Sequence, residues 1–274
     1  MIDKKKLERR FSRNAKTYDD YAVVQKQMSR KLISNIVVKN PKKILEIGCG
    51  TGFLTELIAK EYPDAQILAL DLAPGMIDVA RDRLSSINTN GRINFKCADA
   101  ESAFPEDSYD LIISNATFQW FNHPDETTTL ILNNLSENGQ CLFSTFGERT
   151  FFELGEAFKM ASSELNLEED AQASQNFHKG DEWTSRLKQA KSQLQIEAAI
   201  SVSDELLPEY FEDCMAFFQS VKKIGANNAS ASRSRTTPKF MQTVTEIYER
   251  EFRTDEGVCA TYHALYLSLD KSGL

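Results

Sequence analysis

The sequence of 274 residues contains no apolar run that approaches the roughly 20 residues of a membrane-spanning helix. Residues 1–10 are charged and lack the apolar core of a signal peptide. The five cysteines lie far apart and form no C-x-x-C pair, which argues against a disulfide framework and against a zinc site. These absences predict a cytoplasmic protein that binds no metal and does not contact a membrane.

Familiar catalytic motifs are missing as well. The chain has no H-E-x-x-H, G-x-S-x-G or G-x-x-x-x-G-K-S/T, and its three histidines show no metal-ligand spacing. The net charge of −8 argues against a general nucleic-acid-binding protein. Basic residues are nevertheless concentrated in 4–16 and in 214–245. The two segments predict local attraction for an anionic partner, although two solvated surfaces would have the same composition.

What the chain does contain is an alternation of strand and helix patterns after Pro41. Strands are predicted at 43–47, 66–70, 93–97 and 109–114, and helical patterns lie between several of them. A fifth strand, 140–145, follows a turn predicted at Asn138-Gly139. This rhythm predicts an α/β protein with a Rossmann-like, seven-stranded, mostly parallel sheet covered on both faces.

The pattern divides the chain into four predicted parts. Residues 1–40 form a helical lead-in that acts as a lid, and 41–150 form the cofactor-binding core. Residues 151–252 form a mainly helical cap with one core strand near 195–203 and a loop over 225–238. The apolar segment within 253–274 is the strand that completes the sheet.

The segment I-L-E-I-G-C-G-T-G, 44–52, is the most informative of the chain. Its glycines alternate where a buried strand meets a helix, which is typical of a nucleotide-binding turn. The dinucleotide fingerprint would require a third glycine where Phe53 stands. Glu46 would repel a pyrophosphate but can help to hold a cationic amino acid. The spacing E-x-G-x-G-x-G resembles the first motif of class I methyltransferases that use S-adenosylmethionine, and a turn without a ligand is the alternative. The predicted cofactor contacts in this segment are Glu46, Gly48, Cys49 and Gly50.

Two further carboxylates stand at the ends of predicted strands. Asp71 can accept hydrogen bonds from ribose hydroxyls, which suits S-adenosylmethionine and NAD equally, and a helix N-cap is the alternative. Asp99 can accept from an adenine amino group, beside the backbone N–H of Ala100. Leu72 and Met76 are predicted to cover the adenine ring.

The fourth strand leads into S-N-A-T-F-Q-W-F. Asn115 stands at the predicted edge of the pocket, where it is predicted to contact the methionine end of the cofactor, and aromatic residues follow it. Aromatic rings near a sulfonium can stabilise it by cation–π attraction, although core packing explains Trp120 and Phe121 equally well. Gln119 is harder to explain by packing because it is polar and lies between aromatics.

Several stretches occur in one order that resembles a known family. These are F-S-R-N-A-K-T-Y-D-D-Y-A, L-E-I-G-C-G-T-G, A-L-D-L-A-P-G-M, A-D-A-E-S-A-F-P, S-Y-D-L-I-I-S-N-A-T-F-Q-W and S-V-K-K-I-G-A-N-N. Together they resemble the malonyl-acyl-carrier-protein O-methyltransferases of biotin synthesis over nearly the full length. The resemblance implies a class I methyltransferase fold, S-adenosylmethionine as cofactor, and methylation of the free carboxylate of a malonyl thioester on acyl carrier protein or CoA.

This reaction needs no general base, because a carboxyl group with a pKa near ~4 is ionised at neutral pH. We therefore predict that Tyr18, Asn115 and Gln119 act by alignment. Arg149 and the arginines of the basic segment 214–245 are equal candidates for orienting the malonyl carboxylate. The basic residues Lys222, Lys223, Arg233 and Arg235 are candidates for receiving the acidic carrier protein.

Three alternatives share parts of this pattern. A methyltransferase of the same fold that acts on another small acid or on a quinone ring would have the same cofactor residues. A non-catalytic regulator that binds the cofactor would have them too. An NAD-dependent oxidoreductase is disfavoured by Phe53.

Overall fold

The computed structural model describes residues 1–88, 90–167, 177–225 and 237–271. Within them, one mixed sheet has the strand order β3-β2-β1-β4-β5-β8-β6, and a two-residue strand, β7, pairs with β8. The strands are β1 (Lys43–Ile47), β2 (Gln66–Asp71), β3 (Ile93–Cys97), β4 (Tyr109–Asn115), β5 (Leu135–Phe146), β6 (Ala199–Phe211), β7 (Arg253–Thr254) and β8 (Gly257–Asp270).

Ten α-helices are seen in the described ranges. They are α1 (Lys4–Asn14), α2 (Tyr18–Tyr21), α3 (Val23–Ser34), α4 (Phe53–Glu61), α5 (Pro74–Leu84), α6 (Pro124–Asn133), α7 (Phe152–Glu164), α8 (Gly180–Leu194), α9 (Cys214–Lys223) and α10 (Pro238–Glu251), with a 3₁₀ turn at Phe118–Trp120. None of the described helices is both long and apolar enough to cross a membrane.

The sheet confirms the predicted Rossmann-like α/β fold. Strands β1 to β5 are parallel, and β8 runs antiparallel between β5 and β6. Consecutive residues of β1 serve opposite faces, since Ile44 packs in one apolar cluster with α3 and α4 while Leu45 packs in another with α6 and α8. A strand buried on both faces reads as a continuous apolar run. This burial makes β1 an interior strand, which pairs with β2 on one side and with β4 on the other.

The segment predicted as a cap contributes to two different layers. Helix α8 packs against α6 and the sheet, with Trp183 and Leu187 fully buried. Helices α7, α9 and α10 form a separate apolar cluster around Phe217 and Tyr248, at the end of the sheet where β8 begins. The four-part division of the chain stays a prediction.

Two local predictions differ from the structure. Asn138-Gly139 lies in an irregular part of β5, where the register shifts between Tyr109 and Leu111, so it does not mark a turn before the strand. The strand predicted near 195–203 is β6, which begins at Ala199 and continues to Phe211. The loop predicted over 225–238 lies almost entirely outside the described residues, as do Arg233 and Arg235.

Candidate functional site

The glycine turn after β1 takes its shape from three left-handed residues. Gly48, Gly50 and Gly52 have φ of +74°, +54° and +82°, which a residue with a β-carbon adopts only with strain. A β-carbon on Gly48 would lie 2.0 Å from the hydroxyl oxygen of Thr117. A β-carbon on Gly50 would meet no protein atom within 4 Å. Gly48 therefore serves packing, whereas Gly50 keeps a space open beside the backbone.

That space belongs to a cavity at the carboxyl ends of β1, β2 and β4, which we call the outer cavity. A second, inner cavity adjoins it, because Tyr18, Gly48, Gly50 and Asn115 line both. Helix α1 covers the outer cavity. The structure thereby brings together most of the predicted site residues. Those that line the outer cavity are Tyr18, Gly48, Gly50, Asp71, Leu72, Met76, Asp99, Ala100 and Asn115, and those that line only the inner cavity are Glu46 and Cys49.

Asp71, the last residue of β2, is fixed by the backbone around it. Its carboxylate accepts hydrogen bonds from the N–H of Gly50 at 2.8 Å and of Ala73 at 2.7 Å. Burial raises the pKa of Asp71 to about 6, although both N–H groups act in the opposite direction. The group is therefore mainly ionised at neutral pH, and each oxygen retains capacity to accept from a ligand hydroxyl.

Asp99 lies where the N-terminal helix closes over the outer cavity. Its carboxylate accepts from Lys4 Nζ at 3.3 Å and from the backbone N–H of Glu101 at 3.1 Å. Lys4 also forms an ion pair with Glu101 at 2.6 Å. Burial would raise the pKa of Glu101, but the ammonium of Lys4 and two backbone N–H groups hold that pKa below its ordinary value. The N-terminal end of α1 is thus held by ionic contacts to the residues that follow β3.

Glu46 is the least exposed of the carboxyl groups that line the two cavities. It lies in the middle of the sheet, is 1% exposed, and its Oε2 has no hydrogen-bond partner. Burial raises the pKa of Glu46 to about 8, so the free protein keeps this side chain mainly neutral at pH 7. A buried acceptor without a partner is costly, and a cationic ligand with N–H donors would relieve that cost.

Asn115, at the end of β4, is oriented by neighbours on two elements. Its Oδ1 accepts from the hydroxyl of Ser144 at 2.6 Å, and its Nδ2 donates to the backbone oxygen of Gln25 at 3.0 Å. Two bonds of opposite sense fix which way the amide faces. Asn115 is thereby held rigidly at the junction of the two cavities.

Tyr18, the first residue of α2, lines both cavities together with Asn115. Burial raises the pKa of the Tyr18 hydroxyl far above its ordinary value, and the carboxylates of Asp71 and Asp19 act in the same direction. The phenol therefore stays protonated at neutral pH and can act as a hydrogen-bond donor, not as a base.

Two predicted residues lie away from the cavities. The amide of Gln119 donates to the backbone oxygen of Ala116 at 2.6 Å and accepts from Thr145 at 3.0 Å, so it supports the 3₁₀ turn. Arg149 binds Asp204 at 2.7 Å and approaches the His263 ring. Neither side chain lines the outer or the inner cavity. Their roles toward a substrate stay predictions.

The aromatic cluster divides in two. Phe118 stacks on Phe143 at 3.8 Å between ring centroids and belongs to the core. Trp120 and Phe121 line the outer cavity, and Phe11 of α1 contacts Trp120 edge to face at 5.9 Å. The outer cavity therefore combines an aromatic wall with the carboxylates of Asp71 and Asp99.

Sequence reasoning missed cavity residues that come from the N-terminal helices. Leu7 and Phe11 of α1 close the outer cavity, and Gln25 and Lys26 of α3 line the inner one. The apolar stripe of α1 indicated a buried face but not what it covers. Gln25 carried one signal, because a polar residue stood on an otherwise apolar helix face.

The cavities fit a nucleoside joined to an amino acid. The outer cavity offers apolar and aromatic walls with carboxylates for ribose and adenine, and the inner cavity offers buried oxygens for an ammonium. In the described ranges no group of three or more His, Cys, Asp or Glu side chains is placed to hold a metal ion. Fold and site together define a class I methyltransferase, the class that takes its methyl group from S-adenosylmethionine.

Comparison with known proteins agrees with this class and narrows it. A family model described as a methyltransferase domain matches residues 44–139. The malonyl-acyl-carrier-protein O-methyltransferase of Anoxybacillus flavithermus is 40% identical over 98% of both chains. The enzyme of the same name from Acetivibrio thermocellus is 41% identical over 99% of this chain and 95% of that one. The chain belongs to the malonyl-acyl-carrier-protein O-methyltransferase family.

A solved structure has the same fold at low identity. Phosphoethanolamine N-methyltransferase 2 of Haemonchus contortus, in a complex that contains S-adenosylhomocysteine, is 17% identical. The match covers 89% of this chain and 52% of that one, with a TM-score of 0.54. At this identity the likeness concerns the fold alone.

Proposed function

We propose that the protein methylates the free carboxylate of a malonyl group held as a thioester on acyl carrier protein, in the cytoplasm, as an early step of biotin synthesis. The observation that carries the proposal is the 40% identity over 98% of both lengths to an enzyme named for this reaction. Similarity of that extent includes the elements around both cavities, not only the glycine turn shared by many methyltransferases.

The residues at the junction of the two cavities are the ones closest to the reacting groups in this proposal. S-adenosylmethionine, when bound, supplies a methyl group on a positively charged sulfur that joins its nucleoside to its amino acid. A ligand with its nucleoside in the outer cavity and its amino acid in the inner one would place that link beside Tyr18 and Asn115. The neutral phenol and the fixed amide can orient an acceptor by hydrogen bonds.

The acceptor chemistry agrees with the groups present at this junction. A malonyl carboxylate is ionised at neutral pH, since model carboxyl groups have pKa values near ~4. The carboxylate can attack the methyl group without first losing a proton, so the reaction needs no base. Tyr18, which stays protonated, can therefore act as a hydrogen-bond donor that orients the acceptor. Apolar walls at Leu7, Phe11 and Trp120 exclude water from the site.

A basic surface lies beside the cover of the outer cavity. The amide of Asn14 donates to the backbone oxygen of Lys222 at 3.1 Å, which joins the end of α1 to the end of α9. Gly225 also approaches the ring of Phe11, which lines the cavity. The two basic segments of the sequence therefore meet. We define the basic surface as the exposed residues Arg13, Lys16, Lys222 and Lys223.

We propose that the basic surface receives the carrier protein. Acyl carrier proteins are acidic, and their phosphopantetheine arm carries a phosphate. The four side chains are exposed and form no ion pair with another described residue, so their charges are available to a partner. Their place next to the cavity cover would let a bound carrier extend its arm toward the junction. CoA carries phosphates but no acidic protein surface, so the surface favours the carrier over CoA.

Mass spectrometry of malonyl-acyl-carrier protein after incubation with S-adenosylmethionine tests the reaction. We expect one added methyl group on the malonyl moiety, with slower reaction on malonyl-CoA. Methylation of a free acid or a quinone ring, with none on the carrier, would identify a different methyltransferase. Binding of S-adenosylmethionine without transfer to any of these acceptors would identify a regulator and overturn the proposal.

A further inference from the structure

Two neighbouring residues of α3, Gln25 and Lys26, line the inner cavity, and the proposed reaction gives neither of them a role. Gln25 is 6% exposed, and its Oε1 has no hydrogen-bond partner. Glu46 lines the same cavity with a buried Oε2 that also lacks a partner. Two unpartnered oxygens from different elements thus border one small space.

Buried oxygens without donors are rare because each one forfeits its hydrogen bonds to water. A ligand that brings several N–H donors at one point would satisfy both oxygens together. An ammonium group provides three donors and a positive charge, which matches an amide oxygen beside a carboxylate. The residues that line the inner cavity therefore offer the acceptors that a primary ammonium needs.

Lys26 brings the opposite charge preference to the same cavity. Its Nζ donates to the backbone oxygen of Asp19 at 2.6 Å and lies 5.6 Å from the centre of the Phe53 ring. An ammonium has three N–H groups, so two remain after the bond to Asp19. The protein bond and the ring fix the position of Nζ while leaving it able to bind an anion.

We propose that Gln25 and Lys26 together recognise the amino-acid end of S-adenosylmethionine. The Oε1 of Gln25 shares the ammonium with Glu46, and the Nζ of Lys26 donates to the carboxylate. The inference rests on the proposed cofactor and is independent of the methyl acceptor. It gives the N-terminal segment a direct contact with the cofactor, in addition to the apolar cover provided by α1.

Binding measurements that cross protein variants with ligand variants test the proposal. The ligands are S-adenosylhomocysteine, an analogue without the α-amine and an analogue without the carboxylate. Gln25→Met keeps the size of the side chain but removes the acceptor. We expect this variant to bind S-adenosylhomocysteine and the decarboxylated analogue about tenfold more weakly than the wild type does. Its affinity for the desamino analogue should be unchanged. Lys26→Met should weaken S-adenosylhomocysteine and the desamino analogue and leave the decarboxylated one unchanged.

Lys31→Met is the matched control, because Lys31 is exposed on the same helix and does not line the cavity. Gln25→Asn, which shortens the side chain and withdraws its oxygen, repeats the test if Gln25→Met does not fold. Equal weakening of all three ligands would assign Gln25 and Lys26 a purely structural role. Unchanged affinities would overturn the proposal as well. Methyl transfer by the wild-type protein is measured separately, so failure here leaves the proposed reaction to stand or fall by its own test.

Discussion

Glu46 and Asp71 are both buried carboxyl groups at one cavity system, yet their surroundings give them different charges. Asp71 accepts two backbone N–H bonds, and its pKa is raised only to about 6. Glu46 has an oxygen without a partner, and its pKa is raised to about 8. At pH 7 the free protein therefore presents an ionised Asp71 and a mainly neutral Glu46. One carboxyl group is ready for neutral hydroxyls, and the other becomes charged when a cation arrives.

Cofactor binding should consequently release a proton from Glu46. At pH 7 the side chain is mainly protonated in the free protein, and a bound ammonium favours the carboxylate, so the proton leaves. Titration calorimetry with S-adenosylhomocysteine in buffers of different ionisation enthalpy measures the number of protons released on binding. We expect close to one proton released by the wild type and close to none by Glu46→Gln. Equal release by both proteins would place the proton elsewhere.

The first two glycines of the turn, Gly48 and Gly50, should respond differently to substitution by alanine. Gly50→Ala should cost about 1 kcal/mol of stability for the left-handed backbone, while its methyl group projects into the space for the cofactor and abolishes binding. Gly48→Ala should destabilise the fold itself, because its β-carbon meets Thr117 at 2.0 Å. Thermal unfolding and cofactor titration on both variants separate the effects. Retained binding by a folded Gly50→Ala protein would contradict the assigned role.

At the scale of elements, the N-terminal helices are fastened around the site at several points. The amide of Asn122 binds both backbone groups of Ile2, and Lys4 forms its ion pair with Glu101. Asp19 of α2 accepts from the hydroxyl of Thr51 in the glycine turn. Lys4 lines the outer cavity, whereas Asp19 and Thr51 line the inner one. Because α1 covers the outer cavity, we expect cofactor exchange to depend on how firmly these contacts hold the N-terminal segment.

Weakening one fastening should speed up cofactor exchange. Lys4→Met removes the ion pair with Glu101 and the contact with Asp99, and we expect the dissociation rate of S-adenosylhomocysteine to rise about fivefold. Lys5→Met is the control, because Lys5 is exposed and does not line the cavity. Stopped-flow displacement measures both rates. A dissociation rate that changes equally in the two variants would show that α1 does not control exchange.

The elements also show what the sequence could predict and what it could not. Strands β1 and β4 were predicted because they are largely buried and read as apolar runs. The edge strand β3 is mostly exposed, and its apolar residues alternate with polar ones. The second half of β6 was missed because several of its apolar side chains are exposed while two of its glutamates are partly buried. Leu206 and Tyr210 are exposed, whereas Glu205 binds the Tyr266 hydroxyl and Glu209 is buried enough to raise its pKa to about 7. Polarity alone assigns these residues to the wrong face.

Site residues at the ends of strands could be predicted from the sequence, whereas those placed by helix packing could not. Glu46 and Asp71 could be predicted because the ends of parallel strands meet at one edge of a sheet. Gln25 could not, since it reaches the inner cavity from a helix whose path over the sheet is fixed only by tertiary packing. Gln119 was singled out because it is polar among aromatics. Its amide is bonded to Ala116 and Thr145, and its role toward a substrate stays a prediction.

At the scale of the whole molecule, the charge distribution opposes the proposed partner except at one place. The chain has a net charge of −8, so an acidic carrier is repelled at long range. The basic surface formed by Arg13, Lys16, Lys222 and Lys223 provides the local attraction. Salt screens both effects, but with opposite results for binding of the carrier. Screening the local attraction weakens binding, and screening the long-range repulsion strengthens it, so the larger effect decides whether binding weakens or strengthens with salt. The salt dependence of carrier recognition therefore reports on the basic surface.

This balance predicts that reversing the charge of the basic surface inverts the salt dependence of the KM for the carrier. For the wild type, the KM for malonyl-acyl-carrier protein should rise with salt, because local attraction is screened. For the double variant Lys222→Glu and Lys223→Glu, the KM at low salt should be about tenfold higher and should fall as salt screens the remaining repulsion. The double variant Lys31→Glu and Lys188→Glu changes the net charge equally at exposed positions outside the basic surface, so its KM should still rise with salt. Steady-state kinetics over a salt series, with the KM for S-adenosylmethionine as internal reference, measures all three. If both double variants show the same salt dependence, net charge and not the basic surface governs recognition of the carrier.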